Sequence, residues 1–382
     1  MKRIKTDILI IGAGPYGIAL ANYLHHQKKS FVVVGRFMDL WRNHTYDSMI
    51  LRSDFSTSEI PHPEGRFSAD NFIKQYPEFA GYRNERLPVY VYRQYLDWVE
   101  ANLEYPVIDD FVDILEIAVD FSMHLALYLE THEYSDHKFC AILRRRRNEL
   151  LVFAKNIVVA TGPGPHAIIP ADIKSDLNKI HSYETRKIEA LSNKKVLVIG
   201  GGQSAAESIE SLKEKNEVAW NTPHSPTYLE QPVNISPWLF ETIVHSATTF
   251  HALPLFLRKF LNKLFSRPTI RPPFKSILDK TKTTTSLGEA GRDKKTGYIY
   301  DAVVAATGFN YNIENLTFLS PNIRAQIHTD QDLPTLDHTF QSTCAKLYFT
   351  GGVSEPCFGA ALKFIIGANF AADMISKHIH ED

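Results

Sequence analysis

Three cysteines in 382 residues are too few and too scattered to build much. Cys140, Cys344 and Cys357 form no CxxC pair, which speaks against a dithiol redox centre, a disulfide framework or a zinc site. A reducing cytoplasm fits this usage. Neither sign of charge is in excess: 42 Lys+Arg stand against 43 Asp+Glu. Nothing in that balance points to nucleic acid or to an acidic membrane surface. No apolar run reaches the roughly 18 residues that a membrane-spanning helix needs. The first run, Ile8–Ile11, is also too short for a secretory leader and ends in glycines. Low-complexity tracts and metal-ligand clusters are missing too. What remains is an ordinary globular composition, 44% hydrophobic and 22% charged, with length for two or three domains.

Against that background the glycines stand out. Asp7–Ile11 reads as a buried parallel strand, Pro15–His25 as a helix and Ser30–Val34 as a second strand. Between the first strand and the helix lies Gly12-Ala13-Gly14-Pro15-Tyr16-Gly17. Gly12 permits the tight turn, Gly14 lets a pyrophosphate approach the backbone, and Gly17 lets the helix pack on the strand. The helix start offers free N–H groups and the positive end of its dipole. In this context GxGxxG predicts a dinucleotide site. The acid that usually ends the second strand and binds the ribose is replaced by Gly35 and Arg36, so the ribose must be held otherwise, with Asp39 as a candidate.

A second strand–turn–helix–strand pattern occupies Val196–Ile199, Gln203–Leu212 and Glu217–Trp220. Its turn is Gly200-Gly201-Gly202-Gln203-Ser204-Ala205-Ala206-Glu207, with alanine at the third fingerprint position, which tolerates it. Two dinucleotide motifs imply two cofactors, and FAD with NAD(P)H is the usual pair because the nicotinamide delivers hydride to the flavin. The other reading is a retained fold that no longer binds nucleotide. Gly202, Gln203 and Ser204 are the expected nicotinamide contacts. The next strand ends in Trp220-Asn221-Thr222-Pro223-His224, with neither an arginine for a 2′-phosphate nor an acid for a free ribose.

Elsewhere, Tyr105–Val159 reads as a small β-meander, including His124–Leu129 and Leu150–Phe153, with Arg144–Arg147 at a solvated turn. Tyr300–Ala305 and Lys346–Phe349 read as strands and Leu362–His378 as a terminal helix. Phe250–Phe274 is basic and amphipathic. It is read as a packed helix, a lid or a weak membrane-surface contact.

The Gly200–Glu207 run, Ala160-Thr161-Gly162, Ala306-Thr307-Gly308-Phe309 and Leu347–Gly352 together resemble the class B flavin monooxygenases. That group holds the flavin-containing monooxygenases, the Baeyer–Villiger monooxygenases and the lysine/ornithine N-hydroxylases. Pro88, Arg93, Tyr95 and Trp98 resemble the helix that follows the flavin loop of that group. The order of motifs then implies an α/β fold of two Rossmann-like domains, the NAD(P)H domain (166–299) inserted into a discontinuous FAD domain (1–165 and 300–382). The resemblance implies cofactor contacts at Thr161, Gly162, Thr307, Gly308, Gly351 and Gly352. It also implies that Trp41, Arg52 and Asp54 lie beside the flavin, and it somewhat favours NADPH. Arg52 is the tentative catalytic residue, set against a structural ion-pair reading. The implied reaction inserts one oxygen of O2 into a small organic substrate through a C4a-(hydro)peroxyflavin. The histidine fingerprint of the group survives only as Ile180-His181-Ser182-Tyr183, which weakens a Baeyer–Villiger reading. Two alternatives stay open: an FAD-dependent oxidoreductase or oxidase without oxygen insertion, and a non-catalytic flavin-binding scaffold.

Overall fold

The computed structural model describes residues 2–117, 136–145, 148–171, 173, 178–222, 225–229, 246–265, 269–281 and 299–379. The expected run His124–Leu129 and the residues Arg146, Arg147, Pro223 and His224 lie outside them.

From the start of the chain, β1 (Lys2–Ile11) passes through the first glycine turn into α1 (Pro15–His26) and β2 (Phe31–Val34). Then come α2 (Asp39–Asn43), β3 (Ile50–Asp54), α3 (Ala69–Gln75), β4 (Arg86–Pro88) and α4 (Val89–Ala101). The remaining strands of this part are β5 (Val107–Ile108), β6 (Val112–Ile117), β7 (Phe139–Arg145) and β8 (Asn148–Val159). The apolar run Ile8–Ile11 is continuous rather than alternating because β1 is covered on both faces, as parallel strands between helices are. Each of Ile8, Leu9 and Ile10 is fully buried, worth roughly 1.5–3 kcal/mol apiece on transfer from water. Pro15 opens α1 where a missing N–H costs nothing.

The second part begins with β9 (Asn178–His181) and α5 (Thr185–Glu189), then β10 (Lys195–Ile199), α6 (Gln203–Leu212) and β11 (Glu217–Asn221). A short parallel ribbon pairs β12 (Thr227–Tyr228) with β13 (Thr269–Ile270). Between them lie α7 (Ala247–Ala252) and α8 (Leu255–Phe265); α9 (Lys275–Thr281) and β14 (Ala302–Ala305) follow. Ala205, Ala206, Ile209 and Leu212 are buried and share one face of α6. The chain then returns through α10 (Pro321–Arg324), β15 (Thr329–Asp330), β16 (Leu333–Pro334), β17 (Leu347–Phe349), α11 (Glu355–Phe358) and α12 (Gly367–His378).

The larger sheet has seven strands in the order β5-β2-β1-β8-β7-β6, with β17 added beside β8. The first half of β8 pairs antiparallel with β7, and its last residues pair parallel with β17. Both ends of the chain therefore share one sheet, and the expected meander is an antiparallel extension of it. The second sheet, β11-β10-β14-β9, is parallel throughout. It lies between the two parts of the first. Two expected limits shift. Ala302–Ala305 belong to the second sheet, so the chain crosses back after Ala305 rather than at residue 300. The terminal helix starts at Gly367 rather than Leu362, because a 3-10 turn occupies Ala360–Lys363.

Candidate functional site

The two glycine turns are built alike. Gly12 N–H donates to Val34 O (2.7 Å) and Ala160 N–H to Ile11 O (2.8 Å). Gly200 N–H donates to Asn221 O (3.0 Å) and Ala306 N–H to Ile199 O (2.7 Å). Gly12 (φ +118°) and Gly200 (φ +147°) adopt backbones that L side chains avoid. A β-carbon at Gly12 would sit 2.6 Å from the Ala160 carbonyl carbon, and one at Gly200 would sit 2.8 Å from that of Ala306. Each turn is thus pressed against the alanine of an Ala-Thr-Gly crossover. Gly17 has the packing task expected of it, since a β-carbon there would lie 3.0 Å from the Gly12 carbonyl carbon. Ala205 takes the matching place in the second turn and is fully buried.

Gly14 differs from both. A β-carbon there would meet nothing within 4 Å, although the residue heads the α1 N-terminus. The same open space faces Gly162 and Gly308. Two buried donors, Trp41 Nε1 and Thr350 Oγ1, have no hydrogen-bond partner among the described residues. An open glycine-lined helix start with buried donors nearby suits a dinucleotide rich in acceptor oxygens and nitrogens, so the residues present fit FAD. The C-terminal turn completes the cradle. A β-carbon at Gly351 would lie 3.7 Å from the Tyr16 ring, and one at Gly352 would strike the Tyr311 ring at 2.6 Å. The Tyr16 hydroxyl is directed at the carbonyls of Leu362 (2.6 Å) and Phe364 (2.9 Å), fixing the first turn to the last segment.

Arg36 is exposed at the end of β2, its guanidinium 4.9 Å above the Phe111 ring. Asp39, the candidate ribose ligand, is engaged otherwise: Asn43 Nδ2 donates to one carboxylate oxygen (2.6 Å), and His44 Nε2 lies 3.2 Å from the other. Trp41 packs edge-on against Tyr92, and its carbonyl accepts from Arg93 Nε (2.9 Å). Asp54 closes β3, its carbonyl accepting from Thr57 and Ser58. Arg52 reaches across to the ribbon: Nη1 donates to Thr269 O (3.1 Å) and Oγ1 (3.0 Å), and Nη2 to Leu229 O (3.3 Å).

At the second turn, Gly202 is the extended residue before α6. The Gln203 amide points inward, donating to Glu207 Oε1 (3.0 Å) and accepting from Arg271 N–H (2.9 Å). The Gln203 side chain is therefore engaged within the protein. The Ser204 carbonyl accepts from Ser208 Oγ (2.7 Å), which in turn receives the Tyr46 hydroxyl (2.9 Å). Trp220 does not face a nucleotide. It is fully buried and donates through Nε1 to Gly200 O (2.7 Å), bracing the turn from below. Thr307 Oγ1 donates to Ile168 O (3.1 Å), tying the second crossover to the segment that follows the first. Thr161 is half-buried beside Gly162.

His181 holds the junction. Its Nδ1 accepts from Tyr183 N–H (3.1 Å), so Nε2 carries the proton and donates to Gly308 O (2.9 Å). Burial keeps its pKa below the usual value against that carbonyl bond, which accords with a neutral ring. The roles of Trp220 and Tyr311 carried no sequence signal, because their partners Gly200 and Gly352 lie well away in the chain.

All three cysteines are buried and free. No helix among the described residues is long and apolar enough to cross a membrane. The segment around α8 exposes Phe256 (74%) and Phe260 (63%), while Asn262 Nδ2 donates to Glu355 O (3.3 Å).

The family model of L-lysine 6-monooxygenase/L-ornithine 5-monooxygenase matches residues 5–267. The uncharacterised CzcO-like oxidoreductase of Geobacillus kaustophilus is 28% identical over 227 residues, 57% of this chain and 55% of that protein. The putrescine N-hydroxylase of Shewanella oneidensis is 27% identical over 226 residues, 56% of this chain and 43% of that protein. The chain thus spans about half the length of the curated relatives it matches. Among solved structures, the reduced ornithine hydroxylase of Pseudomonas aeruginosa superposes with a TM-score of 0.76 at 17% identity, covering 98% of this chain and 99% of that one.

Proposed function

The chain belongs to the L-lysine 6-monooxygenase/L-ornithine 5-monooxygenase family, and from that premise we propose that it is an FAD-dependent, NAD(P)H-using monooxygenase acting on a small organic substrate. The observation that carries this reading is the repeated glycine-and-crossover construction, once at Gly12/Ala160 and once at Gly200/Ala306, which supplies two nucleotide cradles in one chain. We assign the first to FAD. Its pyrophosphate would rest at the start of α1 over Gly14, with Gly12, Thr161, Gly162, Gly351 and Gly352 as the backbone walls. Arg36, Trp41 and Thr350 would offer side-chain contacts.

FAD, when bound, supplies the electron store and the place where O2 is activated. The protein's part is to bind, orient and exclude water. Gly200, Gly202, Ser204 and Gly308 would hold NAD(P)H by backbone contacts. Arg52 carries a fixed positive charge at the junction of the two units, the kind of group that stabilises negative charge developing in a dry site. An amine is the substrate class we favour, because N-hydroxylases stand among the relatives and neighbours. His181 is occupied in holding Gly308, which gives a Baeyer–Villiger role no free group. The buried free cysteines fit the reducing cytoplasm we propose as its location.

The test begins with protein carrying FAD, mixed anaerobically with NADPH or NADH, then exposed to air with putrescine, ornithine or lysine present. The expected result is bleaching of the flavin, followed by one hydroxylamine formed for each NAD(P)H consumed. Bleaching followed by peroxide alone with every amine would replace this reading by an oxidase. No bleaching would leave a flavin-binding scaffold.

A further inference from the structure

Glu207 is the acidic residue nearest the second glycine turn, and its surroundings are unusual. It lines a cavity of about 230 Å³ with Ser48, Met49 and Ile50 on one side and Arg271 and Phe274 on the other. Its carboxyl lies deep among protein atoms even though the residue borders that cavity. One of its oxygens accepts from Gln203 Nε2 (3.0 Å), and Gln203 Oε1 accepts from Arg271 N–H (2.9 Å). Because an amide offers its oxygen and nitrogen on opposite sides, these two bonds fix Gln203 in one orientation. The backbone of Arg271 is thereby tied to the first turn of α6. Two residues earlier in the chain, Thr269 is gripped by Arg52 from the other unit. The β12–β13 ribbon is therefore held from both sides, by β3 and by α6.

We propose that Glu207 is a positioning residue which, through Gln203, sets the β12–β13 ribbon and Arg52 in register with the nicotinamide-site helix. The proposal rests on the reading of the second turn as the NAD(P)H site. Burial pushes the Glu207 carboxyl up to about 7, outweighing the Gln203 hydrogen bond and the countercharge of Arg52 and Arg271. The charged and titratable groups facing it are Arg52 on β3, Arg271 after β13, Tyr46 before β3, and Glu210 with its partner Lys213 on α6. With its pKa near neutrality, Glu207 loses its proton as pH rises through that value. The pull on Gln203 Nε2 then strengthens, since an ionised acceptor binds a donor more tightly.

The test uses Glu207→Ala, which removes the acceptor, and Glu207→Gln, which keeps an acceptor but no titration. Amide hydrogen exchange of the segment 269–281 is read first, without added nicotinamide. We expect Glu207→Ala to accelerate exchange at the Arg271 amide by about tenfold or more. In FAD-loaded protein, we expect it to slow anaerobic reduction by NADPH by about tenfold at unchanged FAD content. Glu207→Gln should flatten the pH dependence of that reduction around neutrality while leaving exchange near wild type. Unchanged exchange and reduction in Glu207→Ala would overturn the proposal. So would a wild-type pH profile in Glu207→Gln, which also decides the matter if the alanine variant does not fold. A wild-type protein that NADPH cannot reduce would defeat the functional reading instead, and the exchange experiment would still judge the positioning role.

Discussion

The imidazole of His44 lies flat on the ring of Tyr183, with centroids 3.8 Å apart and planes 12° apart. The stack joins α2 of the first unit to the loop after β9 of the second. Both ring nitrogens face acceptors: Nδ1 the Tyr183 carbonyl at 2.8 Å, Nε2 the Asp39 carboxylate at 3.2 Å. Neither acceptor carries a proton, so this geometry favours the doubly protonated ring. Burial opposes that charge, but the bonds to Asp39 and Tyr183 outweigh it and raise the pKa. His181, nearby in the same junction, is neutral for the opposite reason.

A pH window follows. A histidine raised in the folded state contributes stability that is full below its unfolded value of 6.5 and lost as pH rises through the folded value. Burial would raise the Asp39 pKa, but hydrogen bonds from His44 and Asn43 lower it from 3.8, so its share is lost as pH falls through that lowered value. His44→Phe keeps a stacked ring and removes both bonds. Thermal unfolding against pH should show it destabilised by about 1–3 kcal/mol at mildly acidic pH, shrinking towards zero in the alkaline range. A difference that does not vary with pH would show that the stack alone matters.

Gly14 and Gly12 should fail in different ways. Gly14→Val adds atoms into space that no protein atom occupies, so the chain should fold with near-native circular dichroism but purify without yellow colour. Gly12→Ala drives a β-carbon into the Ala160 carbonyl from a strained backbone, and should lower expression and unfolding temperature. A fully yellow Gly14→Val protein would refute the cradle assignment.

Arg52→Ala separates two roles. If its charge serves oxygen chemistry, FAD content should stay near wild type and peroxide released per NADPH should rise severalfold, an effect separate from any slowing of anaerobic reduction by the loosened ribbon. Its bonds to Thr269 and Leu229 predict in addition a local loosening of the ribbon. Wild-type coupling in the variant would confine Arg52 to holding the ribbon.

Discrimination between NADH and NADPH should be modest. Trp220 is spent beneath Gly200, and Asn221 and Thr222 end the described part of that strand without a charge. Steady-state kinetics should give a preference under about 1000-fold, equivalent to about 4 kcal/mol. A larger ratio would require a cation from elsewhere in the fold.

The nucleotide-binding units were legible because their signals are local. A strand, a glycine turn and a helix lie within some thirty residues. Gly12, Gly14 and Gly17 could each be given a task before any coordinate, and the close contacts at Gly12 and Gly17 are those that a tight turn and helix packing require. The Gln203 side chain was not legible in this way. Its position beside Gly202 suggested a ligand contact, yet both amide atoms are taken by Glu207 and Arg271. Arg271 lies 68 positions from Gln203, and Thr269 lies 217 from Arg52. No periodicity or motif reports partners at such distances. The limits of the terminal helix were missed for a smaller reason: Ala360–Lys363 have helical composition but wind as a tighter turn against α11 and α12.

The placement of β17 has a consequence for how the molecule is made. A ribosome that has just synthesised Ala305 has delivered every strand of the second sheet. The first sheet, begun much earlier, still lacks β17. It also lacks the strap formed when Tyr23 bonds Asn369 and Lys29 bonds the carbonyls of Ser376 and Ile379. The sheet begun first is thus completed last, and the Gly14 turn stays open on its Gly351 side until that residue has emerged. If that turn holds the FAD we propose, its site is complete only after β17 is made, and a chain stalled in between exposes one edge of β8 to chaperones or to its neighbours on the polysome.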